Sequence, residues 1–295
     1  MNSRNLNDKA FEYKLKSSKD FKKINHKELI SLPAYNGILD MYINKIKFKI
    51  LNINNDDGVT IKFFWRDEYE YLSTILWSNL CKKNAVFIDV GSHTGIYSII
   101  GKLSFEKNFI ISIEPYFLNY ARMISNLRLN NISSNDCILA AAMDKTGSIN
   151  FDILNNNYYH TMGGKPNKSG ALKVKSIALD NINFAKSKMS IGAIKIDAEG
   201  FEDKVLRGAI KIIKESQPDI ILEYNETNFE NCMQILESFK YNVYFINDNL
   251  RNIEKFSNLT DDRIKINNIN NSFPDEGKNY LFTKKNISEV MNLIS

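Results

Sequence analysis

The chain is 295 residues long, 43% hydrophobic and 25% charged, with a formal net charge of +5. That length can bury one large α/β core with an appendage, and no apolar run approaches the ~18 residues of a membrane-spanning helix. The three cysteines, Cys81, Cys137 and Cys232, are widely spaced and form no C-x-x-C pair. They read as reduced, buried thiols and exclude a disulfide framework or a cysteine-built metal site. No charged-then-apolar leader opens the sequence, so a cytoplasmic protein is expected.

In chain order, residues 1–32 read as a helical, lysine-rich arm. Arg4, Lys9, Lys14, Lys16, Lys19, Lys22, Lys23 and Lys27 face only Asp8, Glu12, Asp20 and Glu28, which places most of the net charge there. Such an arm reads first as a solvated helical face, and otherwise as a surface for nucleic acid, anionic glycan or membrane. Two alternating runs, 41–50 and 59–65, read as a β-hairpin turned at Asn54-Asn55-Asp56-Asp57-Gly58. The free edge of that hairpin is a natural homodimer contact. A helix at 68–80 leads into five apolar core strands at 85–90, 109–114, 137–143, 191–197 and 219–224. Helices at 96–104, 116–129, 201–215 and 228–239 separate most of them. This alternation predicts an α/β fold, a mainly parallel sheet with helices on both faces. Strands at 243–246 and 280–284 complete its edge. The expected organisation is a helix and β-hairpin extension over 1–82, then a domain over 83–295 with an insertion at 144–190.

Chemistry concentrates where strands end in acids. Val86-Phe87-Ile88-Asp89-Val90 runs into the turn Gly91-Ser92-His93-Thr94-Gly95 and then a helix. Glycine lets a ligand approach the backbone closely there. The spacing is G-x-x-x-G and lacks the third glycine of the dinucleotide fingerprint. Asp89 would sit poorly beside a pyrophosphate but suits a cationic, phosphate-free cofactor. S-adenosylmethionine, with its sulfonium and amino group, is such a cofactor. At the end of the next strand Glu114 precedes Pro115, which forces the chain out of the sheet. An acid there can accept hydrogen bonds from both ribose hydroxyls.

A third strand, Ile194-Lys195-Ile196-Asp197-Ala198-Glu199-Gly200, places Lys195 and Asp197 on one face by the period of two. A lysine within an apolar strand needs a partner. Either Asp197 or Glu199 can be that ion-pair partner, or all three can sit where an acceptor meets the cofactor. Asp197, Glu199, Glu202 and Glu223 also offer enough oxygens for a divalent cation such as Mg²⁺, although acids are equally needed to neutralise a sulfonium and an amine. A metal is therefore not the expectation.

The pairing of V-F-I-D-V-G-S-H-T-G with I-K-I-D-A-E-G-F-E-D-K-V-L-R-G-A resembles the FkbM family of S-adenosylmethionine-dependent methyltransferases, over about residues 84–225. The resemblance implies a Rossmann-like class I methyltransferase fold with an antiparallel last strand. It also implies methylation of hydroxyls, commonly on sugars, cell-surface glycans or secondary metabolites. Asp89, Gly91, Ser92, His93, Thr94, Gly95, Glu114, Pro115, Ala142 and Met143 form the expected cofactor set; His93 stands where the family more often shows asparagine. Asp197 is the expected base, or the group orienting it, with Glu199 and Lys195 setting its protonation. The polar loop Asn155-Asn156-Asn157-Tyr158-Tyr159-His160-Thr161-Met162-Gly163-Gly164-Lys165-Pro166 suits a lid over a sugar ring. Its His160, with an ordinary pKa of about 6.5, is an alternative base.

Three rivals compete. A nicotinamide oxidoreductase is disfavoured by the missing glycine. Nucleic-acid base methylation is disfavoured because no [DNS]-P-P-[YFW] motif and no proline-cysteine pair occurs. A ribose 2′-O enzyme keeps half of a Lys/Asp/Lys/Glu set, and a catalytically inactive cofactor-binding scaffold is the third.

Overall fold

The computed structural model describes residues 3–153, 164–183, 189–256 and 279–294. Helices α1 (Ser3–Lys16) and α2 (His26–Ile30) precede an antiparallel hairpin of β1 (Asn36–Ile43) and β2 (Ile46–Ile53). Asn44 and Lys45 turn this hairpin in the left-handed region, earlier in the chain than expected. The expected strand at 59–65 is instead helix α3 (Gly58–Arg66). The Asp57 side chain accepts from the Val59 and Thr60 N–H groups at 3.0 and 2.8 Å, satisfying donors that a first helical turn leaves open. Every residue of α3 is buried, so its local alternation had no solvent face on which to select a strand. The basic arm rests on the chain's own acids, with Lys14 on Asp67 at 2.7 Å and Lys22 on Glu68 at 2.8 Å.

After α4 (Tyr71–Leu80) the βα units follow: β3 (Val86–Val90), α5 (Ile96–Ser104), β4 (Phe109–Glu114), α6 (Phe117–Leu129) and β5 (Cys137–Leu139). A small second sheet holds β6 (Ala141–Ala142), β7 (Gly147–Asp152), β8 (Lys165–Pro166) and β9 (Leu172–Ile177). The chain then returns through β10 (Ile191–Ile196), α7 (Glu202–Arg207), α8 (Ile210–Ser216), β11 (Asp219–Glu223) and α9 (Phe229–Ser238). Strands β12 (Asn242–Asn247), β13 (Asn252–Lys255) and β14 (Asn279–Thr283) and helix α10 (Ile287–Met291) complete the described elements. Two expected elements are split. The strand at 137–143 breaks at Ala140, and its second half joins the small sheet through β9. The helix at 201–215 breaks at Gly208, where a Cβ would stand 2.1 Å from the Met143 carbonyl oxygen.

The main sheet has the order β13-β12-β14-β11-β10-β3-β4-β5. Strands β5, β4, β3, β10 and β11 are mutually parallel, and β14 is antiparallel to both β11 and β12. The α/β architecture, the helices on both faces and the antiparallel late strand are as expected. Alternate residues feed two cores. Phe87, Ala193, Ile221 and Leu281 pack toward α3–α6 and the hairpin. Val86, Ile88, Ile194, Ile196, Ile220 and Leu222 pack toward α7–α9. The same period puts Asp89 and Lys195, paired in register across β3 and β10, on the α4–α5 side. All three cysteines are free; Cys81 and Cys232 are buried as expected, but Cys137 only partly. Among the described residues no helix is long and apolar enough to cross a membrane.

Candidate functional site

The carboxyl ends of β3, β4 and β10 open into a cleft of ≈ 1090 Å³, its mouth included, within reach of the size of small-molecule sites. Its floor is the β3–α5 turn. The Gly91 and Ser92 N–H groups donate to the Ile113 carbonyl at 2.9 and 3.1 Å, and Ser92 Oγ donates to the Asp89 carbonyl at 2.7 Å. Gly91 takes φ 73°, and a Cβ on it would lie 1.8 Å from the Asp197 carbonyl oxygen, so this turn and the β10 turn close on each other only through glycine. Gly95, also at positive φ, opens α5.

Asp89 is buried under this turn and accepts from Ser98 Oγ at 2.6 Å; Ser98 in turn pairs with Ser112 at 2.7 Å. Burial pushes its carboxyl up to about 6, against the Ser98 hydrogen bond and the charge of Lys195. Glu114 accepts from the His93 N–H on one oxygen and the Tyr116 N–H on the other, both at 2.9 Å. Burial raises it, opposed by His93 and those N–H groups. Asn119 donates to it as well, which leaves at least one of the carboxylate's acceptor sites for a further donor. Pro115, Ala142 and Met143 also line the cleft.

The opposite wall carries Lys195, Asp197, Ala198, Glu199 and Phe201. Lys195 is 1% exposed, its Nζ 3.5 Å from Asp197 Oδ2 and 5.2 Å above the Tyr97 ring, with no aligned hydrogen-bond acceptor among the described residues. Burial alone would push the ammonium down; the charges of Asp197, Glu70, Glu223 and Asp89 outweigh it and hold it at about 12. Burial likewise raises Asp197, but Lys195, a hydrogen bond from Glu223 and His93 bring it below the usual carboxylate range. Glu223 is driven far upward by burial and by Asp197, so the proton that the two acids share resides on Glu223.

Glu202 is not a free metal ligand. Its Oε1 accepts from the Ala198 and Gly200 N–H groups at 3.0 and 3.1 Å, and its Oε2 accepts from Asn228 at 2.6 Å, stapling the turn that presents Asp197 and Glu199. Among the described residues no cluster of three His, Cys, Asp or Glu side chains is placed to hold a metal.

All the expected site residues line this cleft except Gly95, which opens α5, and His160, which lies outside the described residues, as does most of the expected lid. Residues that the sequence did not single out also line it, among them Val59, Tyr69, Tyr97, Asn119 and Phe151. Tyr97 donates to a buried Glu70, which also accepts from Asn279 at 3.1 Å. Tyr97, following the glycine turn, and Glu223, ending a strand as Asp89 and Glu114 do, carried a legible signal. Tyr69 carried none.

A family profile described as the Methyltransferase FkbM domain matches residues 89–248. No curated protein matches the chain. Among solved structures, a methyltransferase FkbM from Methylobacillus flagellatus KT is similar at 17% identity and TM-score 0.44, covering 76% of this chain and 52% of that one. A precorrin-6y C5,15-methyltransferase from Geobacter metallireducens GS-15 is similar at 11% identity and TM-score 0.41, covering 73% of this chain and 88% of that one. An O-methyltransferase from Bacillus cereus, solved with SAH, is similar at 9% identity and TM-score 0.39, covering 72% and 78%. The chain thus spans about half the length of the FkbM structure it matches. With the profile covering more than half of its residues, the chain belongs to the FkbM methyltransferase family.

Proposed function

We propose that this protein transfers the methyl group of S-adenosylmethionine to a hydroxyl, that of a sugar in a surface glycan or of a secondary metabolite. The observation that supports this best is the charge of one rim: Asp89, Glu114, Asp197 and Glu199 line the cleft, and Lys195 is the one ammonium among the described residues that line it. That balance suits a cationic ligand and opposes a pyrophosphate. The cofactor supplies an already activated methyl. Glu114 would hold the ribose hydroxyls, Asp89 the positive end, and Ala142 and Met143 the flat base.

The chain's own part is alignment and proton removal. Asp197, kept ionised by Lys195, takes the acceptor's proton, and Glu223 beside it holds the proton that the pair shares. Positioning can supply about 7–11 kcal/mol of the barrier, and a base about 10²–10⁴-fold in rate. Tyr69 offers an aromatic face on which a sugar ring packs. The test is calorimetric titration with S-adenosylmethionine and with NAD⁺, followed by label transfer from methyl-labelled cofactor to a panel of neutral oligosaccharides, polyketide alcohols and RNA. Binding of the sulfonium alone, with label in the first two classes, is the expected result. Binding of NAD⁺ in its place, or label confined to RNA, would overturn it.

A further inference from the structure

The family profile begins at residue 89, yet three separate contacts tie the preceding segment to the cofactor turn and to the α6 helix beside it. Two adjacent acids at the end of the hairpin are each met by a basic side chain from a different element. Asp56 takes the Arg122 guanidinium of α6 in a two-pronged pair, Nη1–Oδ1 3.0 Å and Nη2–Oδ2 2.6 Å. Fully buried Asp57, the cap of α3, stands 3.3 Å from His93 Nε2 in the middle of the cofactor turn. Asn126, also fully buried, accepts from the Leu51 N–H at 2.9 Å and donates to the Thr94 carbonyl at 2.8 Å, joining β2 to that same turn through one side chain. Behind this join, Val59 and Tyr69 stand in the cleft wall.

We propose that Asp56, gripped by Arg122, and Asp57, which stands against His93, are positioning residues for the cofactor: they make the segment ahead of the family domain a wall of its site. The inference rests on the cofactor reading above. None of Asp56, Asp57 and Arg122 lines the cleft, so any effect on binding runs through where they hold Val59, Tyr69 and the turn. A forked arginine–carboxylate pair fixes geometry in a way that a point charge does not. It is therefore the stronger of the two grips.

The experiment is calorimetry with S-adenosylhomocysteine on the full chain, as a double-mutant cycle. Asp56→Asn and Arg122→Gln should each weaken binding about three- to tenfold, as loss of a partly buried charge-assisted pair implies. The double variant should be no worse than the poorer single, and the exchange Asp56→Arg with Arg122→Asp should recover most of the loss. Asp57→Asn keeps the helix cap, since asparagine caps as well as aspartate, and should weaken binding without lowering the melting temperature. Arg122→Lys, which keeps the charge but loses the fork, serves if a bolder variant fails to fold, and should still bind less tightly. Folded single variants that bind like the parent, or losses that simply add in the double, would overturn the clamp. A parent protein that binds no S-adenosylhomocysteine would instead overturn the cofactor reading, a different result.

Discussion

The two walls of the cleft solve different problems. On the β3–β4 side the groups are fixed by short local bonds: Ser92 to Asp89 and Ile113, and Glu114 to the next turn and to Tyr116. Asp89, Ser92 and Glu114 are each bonded within their own βα unit or the adjacent one, and this wall is a hydrogen-bonded cradle. On the β10–β11 side Lys195, Asp197 and Glu223 are held mainly by one another's charge, and the ammonium finds no aligned acceptor among the described residues. Buried charge that is balanced but incompletely hydrogen-bonded keeps capacity for a further partner. On the function proposed above, the first wall holds the cofactor and the second carries the reaction.

The largest effect expected comes from the glycine on which the two walls meet. Gly91→Ala combines a left-handed φ with a Cβ overlapping the Asp197 carbonyl, so it should cost about 3 kcal/mol or more of stability and abolish binding. Thermal denaturation with and without S-adenosylhomocysteine measures both. A variant as stable as the parent would mean that the walls do not close there.

Next, the walls should separate kinetically. Asp197→Asn should lower kcat by about 10²–10⁴-fold while leaving the cofactor Kd within about twofold. An unchanged kcat would remove Asp197 from the chemistry. Glu114→Ala should do the converse, weakening cofactor binding by about one to two orders of magnitude, because each hydrogen bond to a charged group contributes about 1.5–3 kcal/mol. Equal losses of kcat and affinity in both variants would erase the distinction between the walls.

The smallest effect concerns Asp89. Its pKa is raised by burial, so the ionised form destabilises the fold: stability is fully present below the unfolded value of 3.8 and declines as pH rises through about 6. Asp89→Asn should therefore raise the melting temperature at pH 8 while losing affinity. In the parent, binding of the cationic cofactor needs Asp89 ionised, so affinity should fall as pH drops below about 6. Calorimetry across pH 5–8 checks the sign, and a variant destabilised at pH 8 would contradict the burial account.

The difference between the walls also explains what could be read from the sequence. The cradle wall is local: an apolar run, an acid, a glycine turn and a helix lie within fifteen or so residues, a span over which strand and helix periods are visible. Asp89, Gly91 and Glu114 were legible for that reason, as were β4 and α5. The reacting wall was half legible. Lys195 and Asp197 share a strand face and Glu223 ends a strand, but sheet order is what sets Glu223 against Asp197, and Tyr69 and Glu70 enter through packing across the molecule. Segment α3 was misread because a cap at Asp57 and burial on all sides override a short alternation.

Strand β14 sits between β11 and β12 although it follows both in the chain. During synthesis the two older strands must therefore wait, each with a bare edge, until residues 279–283 leave the ribosome. The arrival of Asn279 then also supplies a donor to Glu70, close to the reacting wall. Nascent chains stopped short of that strand should be the aggregation-prone species, and assembly of the catalytic rim should be among the last events of folding.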